Sequence, residues 1–241
     1  MIFNLQIFGG SGAGSRKKGG SGGSNNEQET YVRGIPQSQI DQLRGTRGHL
    51  GKDELTTNLI KEDYARVGIK ISESEAEQIH EALQAFTDNN YSNMREAYIK
   101  QLTGKSLSSF EKDDLFRYRR CMEYLKIAPS FETSSSYIYR GIEIDKNGYT
   151  DKLLKMKPSD KWDVDKMPTS FTTEVGIARN YADVDGIIIS MPTQKLKNST
   201  SVQGLSRYNV EEEVLVGDYK WKVKSIGTLE NHLNIVLEPD N

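Results

Sequence analysis

The stretch Ser206-Arg207-Tyr208-Asn209-Val210-Glu211-Glu212-Glu213-Val214-Leu215-Val216 decides how this chain is read. Its three consecutive acids run straight into Val214-Leu215-Val216, a β-branched apolar segment with the pattern of a buried strand. A charge run usually marks a solvated face. A strand that leaves such a run carries its acids to the edge of a sheet. Alternate strand side chains share a face, so Glu211 and Glu213 are expected on one side and Glu212 on the other. Two carboxylates together at the mouth of a sheet can stabilise a cation or take a proton. The same pair fits a rim of surface acids, and this stretch alone leaves both readings open.

Composition narrows the field. With 241 residues, 35% of them hydrophobic, the chain has material for one sizeable core but not for two typical ones plus linkers. A net charge of −2 supplies no bulk field toward nucleic acid or an anionic membrane. Arg117, Arg119 and Arg120 read as exposed helix charge, since no aromatic platform is interleaved with them. The single cysteine, Cys121, excludes an internal disulfide and sits in a helical pattern as a structural thiol. His49, His80 and His232 stand apart from one another, so no metal site is expected. No apolar run approaches the ~20 residues that span a bilayer. The opening Met1-Ile2-Phe3-Asn4-Leu5-Gln6-Ile7-Phe8 lacks the basic start and longer apolar core of a secretory signal. The expectation is a protein made and kept in a reducing cytoplasm, or one delivered by a route other than general secretion.

Three segments follow along the chain. Residues 1–26 are an apolar tag and a Gly/Ser-rich arm, to which no fold is assigned. Residues 27–66 form a polar, helical extension: Pro36 opens a short helix, Arg44-Gly45-Thr46-Arg47-Gly48 reads as a solvated turn, and a further short helix covers 59–67. The main domain is expected over 67–241. Ser72 with Glu75, and Ser108 with Glu111, have the spacing of capping boxes. Ala76, Ile79, Leu83 and Phe86 give one buried helical stripe, and Phe110, Leu115, Tyr118, Met122 and Leu125 another. Between them a polar turn over 86–94 leads into a helix that runs to about Leu102, stopped by Gly104; Pro129 ends the later one. Strands are expected near 137–143, 169–173, 187–191, 212–217, 219–227 and 232–238, with a short amphipathic helix at 174–182. Helices first and strands second is an α+β arrangement. No GxGxxG lies between a strand and a helix, so a Rossmann site is not indicated.

Two more segments share the grammar of the opening stretch. Tyr137-Ile138-Tyr139-Arg140-Gly141-Ile142 is an aromatic, β-branched strand with one arginine inside it, and Thr169-Ser170-Phe171-Thr172-Thr173 is a hydroxyl-rich strand. Taken in order (arginine, hydroxyl strand, Glu-x-Glu), these resemble the arginine–serine–glutamate signature of ADP-ribosyltransferases similar to clostridial and bacteriophage enzymes. The resemblance covers roughly residues 70–238. It implies a helical lobe packed on a core of two antiparallel β-sheets, with NAD as substrate and no metal. On that match Arg140 and Gly141 belong to the NAD site; an arginine fork grips phosphate in a way lysine does not. Ser170, Phe171 and Thr172 stand where the family has Ser-Thr-Ser, with Ser170 orienting the second glutamate. Phe171 departs from the pattern, and its alternation also suits the core. Glu213 is the catalytic carboxylate beneath the ribose, Glu211 the acid that orients an acceptor arginine, and Tyr208 an aromatic that helps select it.

The implied activity is mono-ADP-ribosylation of arginine in a host target protein. Asn4-Leu5-Gln6-Ile7-Phe8-Gly9-Gly10 resembles the start of tailed-phage structural proteins. This suggests a phage-encoded enzyme in the host cytoplasm, with an arm that docks to a capsid. Two rival expectations are an NAD glycohydrolase, and a virion protein whose transferase-like domain only binds.

Overall fold

A computed structural model describes residues 30–88, 90–144, 149–162, 168–205, 211–217 and 220–240. The tag, the whole arm and the residues that follow it up to 29, and Tyr208 lie outside the described residues.

The chain opens with a small hairpin, β1 (Tyr31–Val32) and β2 (Ile35–Pro36), followed by α1 (Gln37–Leu43), β3 (Thr46–Arg47) and α2 (Thr57–Arg66). Three longer helices complete a helical lobe: α3 (Glu73–Thr87), α4 (Tyr91–Leu102) and α5 (Ser109–Ile127). Both capping boxes form. Ser72 Oγ accepts from Glu75 N at 3.2 Å while the Glu75 carboxylate accepts from Ser72 N at 3.0 Å, and Ser108 and Glu111 repeat the exchange at 3.3 and 2.8 Å. Each box satisfies two orphan amides at a helix start. Ala76, Ile79, Leu83 and Phe86 are all buried, as their spacing requires. Phe110 is not part of its expected stripe: it is 80% exposed. It precedes Leu115 by five residues, which at 3.6 per turn sets it about 140° around the helix from that stripe.

The turn expected at residues 44–48 is also different. Arg44 is buried, and Thr46 and Arg47 pair in parallel with β4 (Ser130–Phe131). Burying these cations is feasible because partners arrive from afar. Arg44 Nη1 donates to Asn198 at 3.2 Å. Arg47 Nη1 reaches both oxygens of the fully buried Asp63, at 3.1 and 3.0 Å. Tyr124 Oη and Arg66 Nη1 also donate to that carboxylate, at 2.7 and 2.9 Å. Val32, Ile40, Leu55, Ile60 and Tyr64 share one apolar cluster with α3, α5 and Leu215, so the first hairpin and helices are built into the helical lobe's core.

The remaining strands and helices are β5 (Tyr137–Ile142), α6 (Tyr149–Leu154), β6 (Lys161–Trp162), β7 (Thr169–Thr172), α7 (Val175–Ala182), β8 (Ile187–Pro192), β9 (Ser199–Ser201), β10 (Glu213–Val216), β11 (Trp221–Leu229) and β12 (His232–Pro239). The architecture is α+β, with the helical lobe packed against the strands. The ladder runs β6-β11-β12-β8-β5-β7-β10-β9. Pairing is antiparallel except between β12 and β8. A five-strand half and a three-strand half meet at a single register pair, Tyr139 with Thr172. Phe171, Val214 and Val216 from the smaller half pack with Ile138, Ile189, Ile235 and Leu237 from the larger one. The two halves thus enclose a second core. Alternation along β7 and β10 turns Ser170, Thr172, Glu213 and Leu215 the other way, toward the helical lobe.

Candidate active site

Between the helical lobe and that face of the sheet lies a cleft of about 420 Å³. Arg140, Ser170, Glu211 and Glu213, which come from three separate parts of the chain, all line it. In β5, Arg140 sits next to Tyr139, the residue paired with β7, and its Nη1 donates to Ser170 O at 3.1 Å. Ser170 Oγ donates to Glu213 Oε1 at 2.6 Å. The contact is diagonal, since Glu213 is directly opposite Thr172 and Ser170 lies two residues further along the same face. Arginine, serine and glutamate therefore form a connected chain across three neighbouring strands.

Glu213 is 8% exposed, and its carboxyl is pushed up to about 7. Burial is the main cause, because a low-dielectric setting disfavours the charged form. The hydrogen bond from Ser170 opposes it, the nearby Glu211 charge adds to it, and Arg140 works against it. A carboxylate held dry beneath a cleft is poised to stabilise a developing cation, since such interactions are strong where water is excluded.

Glu211 shares the cleft face with Glu213, but not by strand alternation. The strand begins at Glu213, and Glu212 adopts φ 45°, in the left-handed region. That turn sends Glu212 away toward Thr173, whose hydroxyl donates to its Oε2. Glu211 Oε1 instead accepts from Tyr181 Oη at 2.5 Å. Thr172 lines the cleft and its Oγ1 accepts from Glu174 N at 3.1 Å, which secures the entry to α7. Phe171 borders the cleft too, but its ring belongs to the sheet core.

Gly141 lines the cleft and has a packing role as well. A Cβ there would stand 1.7 Å from Ala178 O and 2.7 Å from Ala182 N, so only glycine lets α7 close on β5. Gly141→Ala is expected to displace α7, which carries Tyr181, and to cost about 1–3 kcal/mol as an overpacked site does. Urea unfolding measures it.

Sequence reasoning missed several cleft residues. Phe86, Tyr91 and Arg95 enter from α3 and α4, and Tyr181 from α7. Arg95 is buried although charged. Its signal was present: Tyr91 and Arg95 are one helical turn apart, and Arg95 interrupts an otherwise apolar face with Met94 and Ala97. A literal Ser199-Thr200-Ser201 also exists. It forms β9, on the far side of β10 from β7, where Ser199 Oγ accepts from Phe131 N at 3.2 Å. The hydroxyl that reaches Glu213 is that of Ser170. Among the described residues, no group of three or more His, Cys, Asp or Glu is arranged to hold a metal.

No protein-family model matches the chain, and no curated protein matches it by sequence. Solved structures do match. The ADP-ribosyltransferase Vis in complex with the inhibitor M6 superposes with a TM-score of 0.52 at 18% identity, over 79% of this chain and 86% of the other. The fold is that of an ADP-ribosyltransferase. Vis toxin from Vibrio splendidus gives a TM-score of 0.51 at 18% identity, over 80% of this chain and 88% of that one. Its complex with agmatine gives 0.51 at 17% identity, covering 83% and 89%. The ADP-ribosyltransferase fold therefore extends over the helical lobe and both halves of the sheet.

Proposed function

We propose that this protein is a mono-ADP-ribosyltransferase that transfers ADP-ribose from NAD to arginine in a target protein. The observation that carries the reading is the chain Arg140–Ser170–Glu213 at the floor of a cleft whose rim holds Glu211. The residues suit NAD. Arg140 Nε is buried with no hydrogen-bond partner among the described residues, and the cleft receives a second cation, Arg95. Two guanidinium groups match the two negative charges of a pyrophosphate. Phe86, Tyr91 and Tyr139 offer apolar ring surface to a planar base. The cleft volume lies within the usual range of small-molecule sites.

The chemistry follows from the two acids. The bond between C1′ of the ribose and the nicotinamide nitrogen breaks, and nicotinamide leaves with the electron pair as a neutral base. The ribose becomes oxocarbenium-like, and the Glu213 carboxylate stabilises that charge. A guanidinium nitrogen of the acceptor then forms the new bond to C1′ and loses a proton. Glu211 is the base for that proton, because arginine stays protonated in water near neutrality. Vis has been determined in complex with agmatine, which carries the same guanidinium, and this supports arginine as the acceptor. The phage-like tag supports a phage-encoded enzyme acting in a host cytoplasm.

Incubation with labelled NAD, with and without agmatine or polyarginine, tests the proposal. Label on the acceptor is the expected result, and nicotinamide release without transfer would identify a glycohydrolase instead. Glu211→Gln is expected to lower transfer by roughly 10²-fold, the size of a general-base contribution. Nicotinamide release in the absence of acceptor should persist. Persisting transfer to arginine would remove Glu211 from its assigned role.

A further inference from the structure

His49 lies in the segment between β3 and α2, remote in sequence from every residue so far assigned to the reaction. It nevertheless ends beside the Glu-x-Glu turn. Its Nε2 is 3.2 Å from Thr173 Oγ1 and 3.6 Å from Glu212 Oε2, and its Nδ1 is 3.4 Å from Ser201 Oγ. The ring is braced edge-on against Phe131, with centroids 4.7 Å apart. Four elements meet here: the loop after β3, the end of β7, the edge strand β9 and the turn into β10.

The direction of each hydrogen bond can be worked out from what each group is able to do. Leu50 N–H can only donate, and it donates to Ser201 Oγ at 3.3 Å. The Ser201 hydroxyl proton is then available for His49 Nδ1. At the other end, the Thr173 hydroxyl donates to the Glu212 carboxylate. The lone pairs of Thr173 Oγ1 therefore accept from His49 Nε2–H. Burial holds the imidazole below its ordinary pKa, with Glu212 and Glu174 pulling the other way, so the ring is neutral near pH 7 with one N–H to give. The chain runs without conflict from the Leu50 amide through Ser201, His49 and Thr173 to Glu212.

What this chain holds is the middle residue of Glu-x-Glu, in a backbone conformation that non-glycine residues seldom adopt. Left-handed backbone at such a residue is strained and persists only where the surroundings enforce it. Glu212 has φ 45°, and Glu211 and Glu213, on either side of that turn, both line the cleft. We infer that His49 is a positioning residue for the Glu-x-Glu turn: through Thr173 it anchors Glu212, and so aims Glu211 at the acceptor. The site thereby depends on a residue contributed by the N-terminal extension. This inference rests on the proposed transferase reading for its effect on turnover, though not for the hydrogen-bond chain itself.

The test uses the full chain, with NAD and agmatine as substrates. His49→Phe keeps an aromatic ring against Phe131 and removes both nitrogens. Transfer to agmatine is expected to fall about 10–100-fold, as for a misaligned reacting group. Nicotinamide release without agmatine reports Glu213 rather than Glu211, and is expected to stay within about twofold of wild type. His49→Gln, whose amide can donate to Thr173, should recover part of the transfer. Nitrogen-15 NMR of the histidine rings should find His49 neutral with the proton on Nε2. The inference is overturned if transfer and hydrolysis fall together, if neither changes, or if the proton sits on Nδ1. Wild-type protein that releases nicotinamide but never labels agmatine would instead defeat the arginine reading, and the tautomer would then decide the hydrogen-bond chain by itself.

Discussion

Glu213→Gln is expected to abolish catalysis while making the folded protein more stable. On the proposed transferase reading, removing the Glu213 carboxylate should lower both transfer and hydrolysis on the order of 10²–10³-fold, the scale of losing one electrostatic stabiliser. Glutamine can still accept from Ser170, so the local geometry survives. The stability gain follows from the raised pKa of Glu213, about 7 against an ordinary 4.5. Because the folded state holds the proton more tightly, this group's contribution is full below pH ~4.5 and is lost as pH rises through ~7. The shift corresponds to roughly 3 kcal/mol in favour of Gln above neutrality. On the proposed transferase reading, activity is expected to have the opposite slope, since only the ionised carboxylate would stabilise a ribosyl cation. The acid limb of kcat/KM for NAD should rise through an apparent pKa near 7. Urea unfolding of both proteins at pH 5 and pH 8 checks the first claim: their midpoints should converge at pH 5 and separate at pH 8. Equal midpoints at pH 8 would mean that the cleft is wet and Glu213 unperturbed.

Asp63→Ala should be the most destabilising single substitution of a charged residue in the helical lobe. Asp63 is fully buried and accepts from Arg47, Arg66 and Tyr124 at once. Breaking a buried pair by removing one partner typically costs about 3–5 kcal/mol, because the other charge is left without compensation. Arg47 would be that stranded charge, in the strand that leads to His49. Chemical denaturation gives the magnitude. A loss below about 1 kcal/mol would place the network with ordinary surface pairs.

Much of the fold was legible because its causes are local. The capping boxes at Ser72 and Ser108 are i,i+3 exchanges, visible in any window of four residues. The stripe from Ala76 to Phe86 follows from helical period alone. The strands around Arg140, Ser170 and Glu213 carry β-branched and aromatic runs, and those three residues do converge in one cleft. Errors arose where the deciding partner is far away in sequence. Arg44 and Arg47 look solvated until Asn198 and Asp63 are beside them. Glu212 looks like an ordinary strand residue, but hydrogen bonding from Thr173 accompanies a left-handed turn there.

The amino-acid order by itself determined the capped helix starts and the α+β class, since periodicity, capping and β propensity act within a few residues; it was the family resemblance, not these local rules, that singled out Arg140, Ser170 and Glu213. The resemblance named Ser170, and the strand order supplies the physical reason: β7 lies against β10 in the register that brings Ser170 to Glu213, while the literal Ser199-Thr200-Ser201 pairs on the other side of β10. The amino-acid order did not show that Tyr181 meets Glu211, that Arg95 enters the cleft or that His49 stands beside the Glu-x-Glu turn. Those are contacts between segments, and they exist only once the sheet's register and the closing of α7 on Gly141 bring the segments within hydrogen-bond range.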